Sequence, residues 1–277
     1  MSIGNSAKNI AGFNSLYNAK IGESFVGILD LYPNAKVAYS VRKLKSSYTG
    51  AAIRVRRDID NVEQDIGFTP AGNLDETALT SFVGSSNGFI TTWYDQSGQN
   101  NNATNPTAIR QPKIVQTGVI IKVNTKPAIE FPQTNLHWLN LATTITPAAD
   151  NFQFFVADRN HLNKIFTALS GNGFNGIYTN NVEFIIAKEF YVGSSNTITG
   201  QMLWLTTQEA ADYDLFINNV NRPIVLNYTY NATYSYISNY FFEGQSGIFQ
   251  EIIMWNFNRT SDKAGITTNV NTYYGIF

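Results

Sequence analysis

The chain of 277 residues contains no cysteine. It therefore has no disulfide framework, no thiol nucleophile and no metal centre ligated by cysteine. Charged residues are also scarce: they make up 14% of the chain, and the formal net charge is −1. A nearly neutral chain lacks the positive field with which proteins hold nucleic acid or an anionic membrane surface. We therefore expect neither nucleic acid nor a membrane among its partners.

Long apolar runs are missing as well. No stretch approaches the length of a transmembrane helix, and the opening residues MSIGNSAKNIAGF show no basic region followed by an apolar run. These features predict a protein without a signal peptide that is made and folds in a reducing cytoplasm.

Aromatic residues and turn formers are abundant. Hydrophobic residues make up 43% of the chain and aromatic residues 14%, and Asn, Gly, Ser and Thr separate the apolar segments. Short β-branched and aromatic segments between turn residues are typical of antiparallel strands. The pattern predicts about ten to twelve strands in one β-sandwich. The clearest segments are FITTWY, VIIKV, PAIEF, NFQFFVADR, QMLWLTT, DLFINNV and GIFQEIIMWNF.

A few short helices complete the prediction. Val37, Val41, Leu44 and Tyr48 recur with helical spacing, and Gly50 follows as a stop. The segment NLDETALTSFVG predicts a second helix, which Asn73 caps and Gly84 ends. A third is expected near the C-terminus, capped by Ser261. Residues 1–30 show no sustained period and are interpreted as an N-terminal arm, which leaves residues 31–277 as the sandwich domain.

A metal site is one hypothesis for the segment DIDNVEQD. Asp58, Asp60, Asn61 and Asp65 supply the oxygen donors that calcium prefers, although the spacing is not that of an EF-hand. The alternative is a solvated hairpin tip with Asp60 and Asn61 at the turn, and this alternative is favoured. No other cofactor is expected.

Four further features each allow two interpretations. Asp95, at the end of TTWYDQSG, is either catalytic or a turn residue that binds backbone N–H groups, and the second role is favoured. Arg54, Arg56 and Arg57 suit a salt-bridged sheet face better than a phosphate site, and His137 and His161 show no catalytic context. Trp138 is the candidate for stacking on a glycan, with core packing as the alternative.

Several segments, in order, resemble a known module. They are AYSVRKLKSSYTGAAIRVRRDIDNVEQDIGF, GNLDETALTSFVG, TTWYDQSGQNNNAT, QPKIV and KPAIEF. Together they resemble a module of many bacteriophage structural proteins, which is also similar to the first half of the α-L-arabinofuranosidase B catalytic domain. The second half resembles laminin G-like, concanavalin A-like jelly rolls, through DLFINNV and GIFQEIIMWN. The resemblance thus implies an all-β, antiparallel jelly-roll sandwich with a few short helices.

The resemblance implies three functions. The leading hypothesis is a non-catalytic bacteriophage virion protein, such as a capsid decoration, head fibre or tail-associated subunit, located in the virion. Its partners would be other virion proteins and its own copies in a homo-oligomer. The second hypothesis is a lectin-like module that binds host-surface glycans, and the third is an arabinofuranosidase-type glycoside hydrolase.

The chemistry implied by the enzyme relative weighs against the third hypothesis at this point. In that relative, two carboxylates act beside an adjacent Cys-Cys pair in the second half of the domain. This chain has no cysteine, and its acids in that half show no recognisable pairing. The sequence therefore predicts that the protein is not an enzyme. The acids concerned are Asp150, Asp158, Glu183, Glu189, Glu209, Asp212, Asp214, Glu243, Glu251 and Asp262.

Overall fold

The computed structural model describes most of the chain after residue 24. The described residues are 25–132, 137–159, 166–171, 174–178, 183–186, 189–193, 200–209, 212–222, 224–229, 233–237 and 247–277. The arm predicted for residues 1–30 therefore lies largely outside them.

Short antiparallel strands dominate the described residues, so the all-β class predicted from the sequence is confirmed. There are 22 strands in these ranges, more than the sequence predicted, because several contain only two or three residues. The strands of the first half are β1 (Val37–Ser40), β2 (Ile53–Arg57), β3 (Glu63–Ile66), β4 (Gly88–Trp93), β5 (Ala103–Thr104), β6 (Lys113–Gln116), β7 (Val119–Ile120), β8 (Lys122–Val123), β9 (Lys126–Pro127), β10 (Ile129–Phe131) and β11 (Leu139–Ile145).

The second half contributes the longest strands. They are β12 (Asn151–Arg159), β13 (Phe166–Gly171), β14 (Phe174–Tyr178), β15 (Glu183–Ile186), β16 (Glu189–Gly193), β17 (Gly200–Glu209), β18 (Asp212–Ile217), β19 (Val220–Arg222), β20 (Ile224–Thr229), β21 (Tyr234–Ile237) and β22 (Gly247–Trp255). Within the described residues, three α-helices accompany the strands: α1 (Ile28–Leu31), α2 (Glu76–Val83) and α3 (Lys263–Tyr274). No helix in the described part of the chain combines the length and apolar character needed to cross a membrane.

Strand β22 organises the sandwich. One sheet has the strand order β19–β18–β17–β12–β22. Strands β1 and β10 both pair with the other edge of β22. Through β10 and β6 this sheet continues into a second one that contains β3, β2, β4, β5, β11, β21 and β13. All the registers are antiparallel, and every described residue of β22 is buried.

Two apolar cores hold these layers together. The larger lies between the sheets and includes Tyr39, Trp93 and Trp204, all fully buried. The smaller lies on the outer face of β12 and β22, where α1 and α3 cover it, and it contains Trp255 and Tyr274. Because both faces of β12 and β22 are covered, these strands read as continuous apolar runs instead of alternating ones.

The helix predicted from Val37 to Tyr48 is wrong. Residues Val37–Ser40 form β1, which pairs with β22 over four positions, and no α-helix follows before Gly50. Both faces of β1 are buried, so its apolar residues do not alternate as in a half-exposed strand. The later apolar residues Leu44 and Tyr48 lie at helical intervals from them by coincidence. The count of two helices before residue 85 is still met, because α1 forms further upstream.

The other helices form where predicted, with different caps. Asp75, and not Asn73, caps α2 by accepting a bond from the backbone N–H of Ala78 at 2.9 Å. Gly84 ends α2 with φ +61°, as predicted. A short 3₁₀ turn at Thr260–Asp262 precedes α3, so Ser261 lies in this turn and does not cap the helix. A cap is set by local backbone geometry, which sequence spacing fixes only to within a residue or two.

Candidate functional site

Asp95 is a buried turn residue. One carboxylate oxygen accepts the backbone N–H groups of Ala38 and Ser97, at 2.9 and 3.0 Å. The other accepts the Ser97 hydroxyl at 2.7 Å and the Asn101 N–H at 3.0 Å. Four donors therefore surround a side chain that is 3% exposed. This geometry is that of the predicted turn role, since all these donors belong to the protein itself.

Asp95→Ala should strongly destabilise the fold. The change leaves buried backbone N–H groups unpaired, each at a cost of about 1–3 kcal/mol. We expect a loss of several kcal/mol in the free energy of unfolding, measured by urea titration. Asp75→Ala, which removes a single cap bond at a half-exposed helix end, should cost only about 1 kcal/mol. Equal losses for the two variants would contradict the role given to Asp95.

The proposed calcium ligands each have a separate protein partner. Asp58 accepts two bonds from Asn87, at 3.0 and 2.7 Å, and Asp60 pairs with Arg57 at 2.7 Å. Asn61 accepts from Arg56 at 2.8 Å, and its φ of +60° places it in the hairpin turn. Hydrogen bonding from Asn87 and from Arg57, respectively, holds the pKa values of Asp58 and Asp60 below the usual range.

Asp65, the fourth candidate ligand, faces a different arginine. It accepts from Arg54 at 3.1 Å and from the Tyr94 hydroxyl at 2.9 Å. In the described part of the chain, no three His, Cys, Asp or Glu side chains are grouped to hold a metal ion. The structure thus distributes the four side chains along the hairpin, and calcium binding there stays a prediction.

The arginine-rich strand is a salt-bridged face, as the sequence favoured. Arg54 pairs with Glu63 at 2.8 Å as well as with Asp65, and Arg57 pairs with Asp60. Arg56 differs, because its Nε donates to the amide of Gln111 at 2.8 Å.

A buried ion pair joins the residue Arg42, just after β1, to β22 beneath α3. Arg42 donates two bonds to Glu251, at 2.7 and 2.8 Å. Glu251 is fully buried and also accepts from the hydroxyls of Ser40 at 2.8 Å and Tyr274 at 3.0 Å. Burial alone would lower the pKa of Arg42, but the charge and hydrogen bonds of Glu251 raise it above its usual value. These contacts give Glu251 a structural role.

Four strands begin or end at the same end of the sandwich: β10, β12, β17 and β22. Phe131 of β10 pairs with Gly247 of β22, and Arg159 of β12 pairs with Gly200 of β17. Asp158 pairs with Ile248 on one side. We call this end of the sandwich the Arg159 end. Strand ends are where a rigid sheet can present side chains to a ligand.

Asp158 is the acid of interest at this end. It is half-buried, and burial raises the pKa of its carboxyl group above the usual value. Its cross-strand neighbour is Gln201, whose buried Oε1 has no hydrogen-bond partner among the described residues. The Nε2 of Gln201 donates to Gln250 at 2.6 Å.

Trp138 and His137 follow β10 in the chain. The ring of His137 contacts the carbonyl of Pro132 at 3.2 Å, next to Phe131 at the Arg159 end. Trp138 is half-buried, its indole N–H donates to Asn140 at 3.1 Å, and the guanidinium of Arg110 lies 5.2 Å from its ring centroid. An indole of this kind, flanked by amides and a cation, is suited to sugar hydroxyls, so glycan stacking by Trp138 stays a proposal.

Four of the remaining acids and one histidine have side chains outside the described part of the chain: Glu183, Glu189, Asp212, Glu243 and His161.

Sequence reasoning missed two residues near Asp158, which are Gln201 and Gln250. Their only sequence signal was an amide placed inside an apolar strand, which indicates a buried polar contact without identifying its partner.

A family model matches part of the first half of the chain. Residues 31–127 match the family model described as the catalytic domain of α-L-arabinofuranosidase B. This is the half in which the motif resemblance was strongest. No curated protein sequence matches the chain.

Solved structures show the same fold. An arabinofuranosidase complexed with arabinofuranosyl-α-1,2-xylobiose shares 16% identity with a TM-score of 0.67, covering 90% of this chain and 65% of that one. A GH54 α-L-arabinofuranosidase mutant soaked with 4-nitrophenyl α-L-arabinofuranoside shares 17% identity with a TM-score of 0.70, covering 90% and 66%. This chain thus spans slightly less than two thirds of the length of those proteins.

Three predictions from the sequence are corrected by these matches. The predictions of a virion structural protein, of a capsid or tail subunit and of a non-enzyme are wrong. The family model and the structures named above are of arabinofuranosidases, not of phage proteins. The physical error was to treat the missing cysteine pair as missing chemistry. Glycoside hydrolysis is performed by carboxylates, which the fold can bring together from distant strands.

Proposed function

We propose that this chain is a glycoside hydrolase domain of the α-L-arabinofuranosidase type. The observation that supports it most is the agreement of two independent comparisons: the family model matches residues 31–127, and the sandwich superposes on arabinofuranosidases over 90% of the chain. The first gives a sequence relationship to a catalytic domain, and the second extends the common fold well beyond residue 127.

In this proposal the Arg159 end receives the arabinofuranosyl residue. Asp158 acts as the acid that protonates the glycosidic oxygen, because its raised pKa keeps the proton on the carboxyl group at higher pH than an ordinary aspartate. Trp138 offers an apolar face for a sugar ring. The mechanism also needs a second carboxylate, and the sequence offers Glu183, Glu189 and Glu243 among residues whose side chains are not described.

The proposal is tested with two aryl glycosides that differ only in ring size. The full chain should release 4-nitrophenol from 4-nitrophenyl α-L-arabinofuranoside and not from 4-nitrophenyl α-L-arabinopyranoside, as followed by absorbance. Release from neither substrate would contradict the proposal. Replacing Glu183, Glu189 and Glu243 by glutamine, one at a time, should then identify the second carboxylate as the position where turnover is lost.

The predicted homo-oligomer, other partners and localisation stay predictions.

A further inference from the structure

A polar pocket lies on the side of the domain formed by α2, α3 and the β8–β9 hairpin. Its volume is about 350 Å³, and its wall includes Thr69, Asn73, Glu76, Thr125, Lys126 and Tyr273. We call it the Lys126 pocket. None of its lining residues belongs to the Arg159 end, and none takes part in the hydrolysis proposed above.

The hairpin wall of the pocket is firmly held. The side-chain amide of the fully buried Gln250 donates to the carbonyls of Val123, Lys126 and Pro127, at 3.1, 3.1 and 3.2 Å. The amide of Asn124 donates to the carbonyl of Tyr274 at 3.2 Å. Side chains on this hairpin are therefore presented from a fixed backbone, which favours recognition of a ligand.

The tip of the hairpin is strained. Thr125 has a φ of +67°, a left-handed conformation that a β-branched residue rarely adopts and that glycine would occupy without cost. Strain of this kind persists where the surrounding structure imposes it, and it is found often at ligand-binding positions. Here the strained residue is itself part of the pocket wall.

Two polar groups in the wall lack an obvious partner. The Thr69 hydroxyl is buried and has no hydrogen bond among the described residues. Lys126 has no carboxylate partner in that part of the chain, and its ammonium lies 4.2 Å from the centroid of the Tyr273 ring. In contrast, Glu76 is already paired with Lys122 at 2.6 Å. The pocket therefore offers the Lys126 ammonium to a ligand, whereas the Thr69 hydroxyl is buried beneath the wall.

The aromatic wall is not free for stacking. Lys126 lies against the Tyr273 ring, and the guanidinium of Arg42 lies 4.8 Å from its centroid. The Tyr273 hydroxyl donates to Asn73 at 2.9 Å, and burial raises its pKa to about 12, so it remains a neutral donor. Recognition here rests on charge and hydrogen bonds, which favours an anionic, hydroxyl-bearing ligand over a neutral, stacked one.

We propose that the Lys126 pocket binds a uronic acid residue of a glycan. The carboxylate of the sugar would pair with Lys126, and its hydroxyl groups would meet Thr125 and Asn73. A monosaccharide of this size fits a pocket of about 350 Å³. The site would bind an acidic sugar at a place separate from the Arg159 end.

Titration calorimetry with sodium glucuronate tests this proposal on the full chain. Binding should be measurable at low ionic strength and weaken with added salt, because the pairing is electrostatic. Glucose and acetate, which each lack one of the two recognised features, should bind at least about tenfold more weakly. Equal binding of glucose or of acetate, or no heat from glucuronate, would overturn the proposal.

Two variants locate the site. Lys126→Met should weaken glucuronate binding by about tenfold. Lys113→Met is the matched control, because Lys113 also lies over an aromatic ring, that of Phe89, at 5.8 Å. Glucuronate binding that survives Lys126→Met unchanged, or that Lys113→Met weakens equally, would contradict the assignment.

Discussion

Arg42→Met should destabilise the protein by about 3–5 kcal/mol, the cost of leaving one partner of a buried ion pair unpaired. Glu251 would then remain fully buried with its negative charge and keep only the hydroxyls of Ser40 and Tyr274 as donors. The pair ties the segment just after β1 to β22 beneath α3, so its loss should loosen the outer core as well. Urea-induced unfolding followed by tryptophan fluorescence measures the change.

Two controls separate this effect from a general loss of charge. Arg54→Met removes an exposed arginine that pairs with Glu63 and Asp65, and such surface pairs are worth at most about 1 kcal/mol. The double variant Arg42→Met with Glu251→Leu should recover much of the lost stability, because no unpaired charge stays buried. A double variant that is no more stable than Arg42→Met would show that the cost has another origin.

Asp158→Asn should lower kcat for aryl arabinofuranosides by at least about 100-fold, the usual contribution of a positioned acid. The amide keeps the size of the side chain but has no proton to transfer to the leaving group. Activity of the parent protein should fall as pH rises through the pKa of Asp158, which burial places above its ordinary value. This basic limb of the pH–rate profile should disappear with the carboxyl group.

The matched control is Asp214→Asn, which changes an exposed aspartate on β18. It should leave kcat and the pH–rate profile unchanged.

Folding provides an independent check on Asp158, because a raised pKa means that the folded state binds the proton more tightly than the unfolded state. Stability should therefore fall as pH rises from the ordinary aspartate pKa through the raised one. Asp158→Asn should abolish this pH dependence of stability. If the variant turned over aryl arabinofuranosides as fast as the parent protein, Asp158 would be excluded as the acid.

The strands could be predicted from the sequence because most are bounded by turn residues that leave a direct signal. Asn218 and Asn219 both adopt positive φ, at 51° and 61°, and join β18 to β19 at the end of the predicted strand segment DLFINNV. Val37–Ser40 could not be predicted, because its partner β22 lies some two hundred positions away and buries both of its faces. Short-range periodicity carries no information about such a contact.

The candidate site was harder to predict than the fold. Asp95 could be interpreted correctly because most of its donors lie within six residues. Asp158, Gln201 and Gln250 come from three different strands, and only the register of β12 with β17 and β22 brings them together. The raised pKa of Asp158 arises from burial, which no spacing in the sequence expresses.

Hydrolysis of a natural type of arabinofuranosyl linkage tests the proposed function most directly. The full chain is incubated with arabinofuranosyl-α-1,2-xylobiose, and the products are followed by proton NMR, with Asp158→Asn in parallel. We predict that the parent protein releases free arabinose and xylobiose while the variant leaves the trisaccharide intact. A trisaccharide that stays intact with the folded parent protein would contradict the assignment as an arabinofuranosidase-type hydrolase.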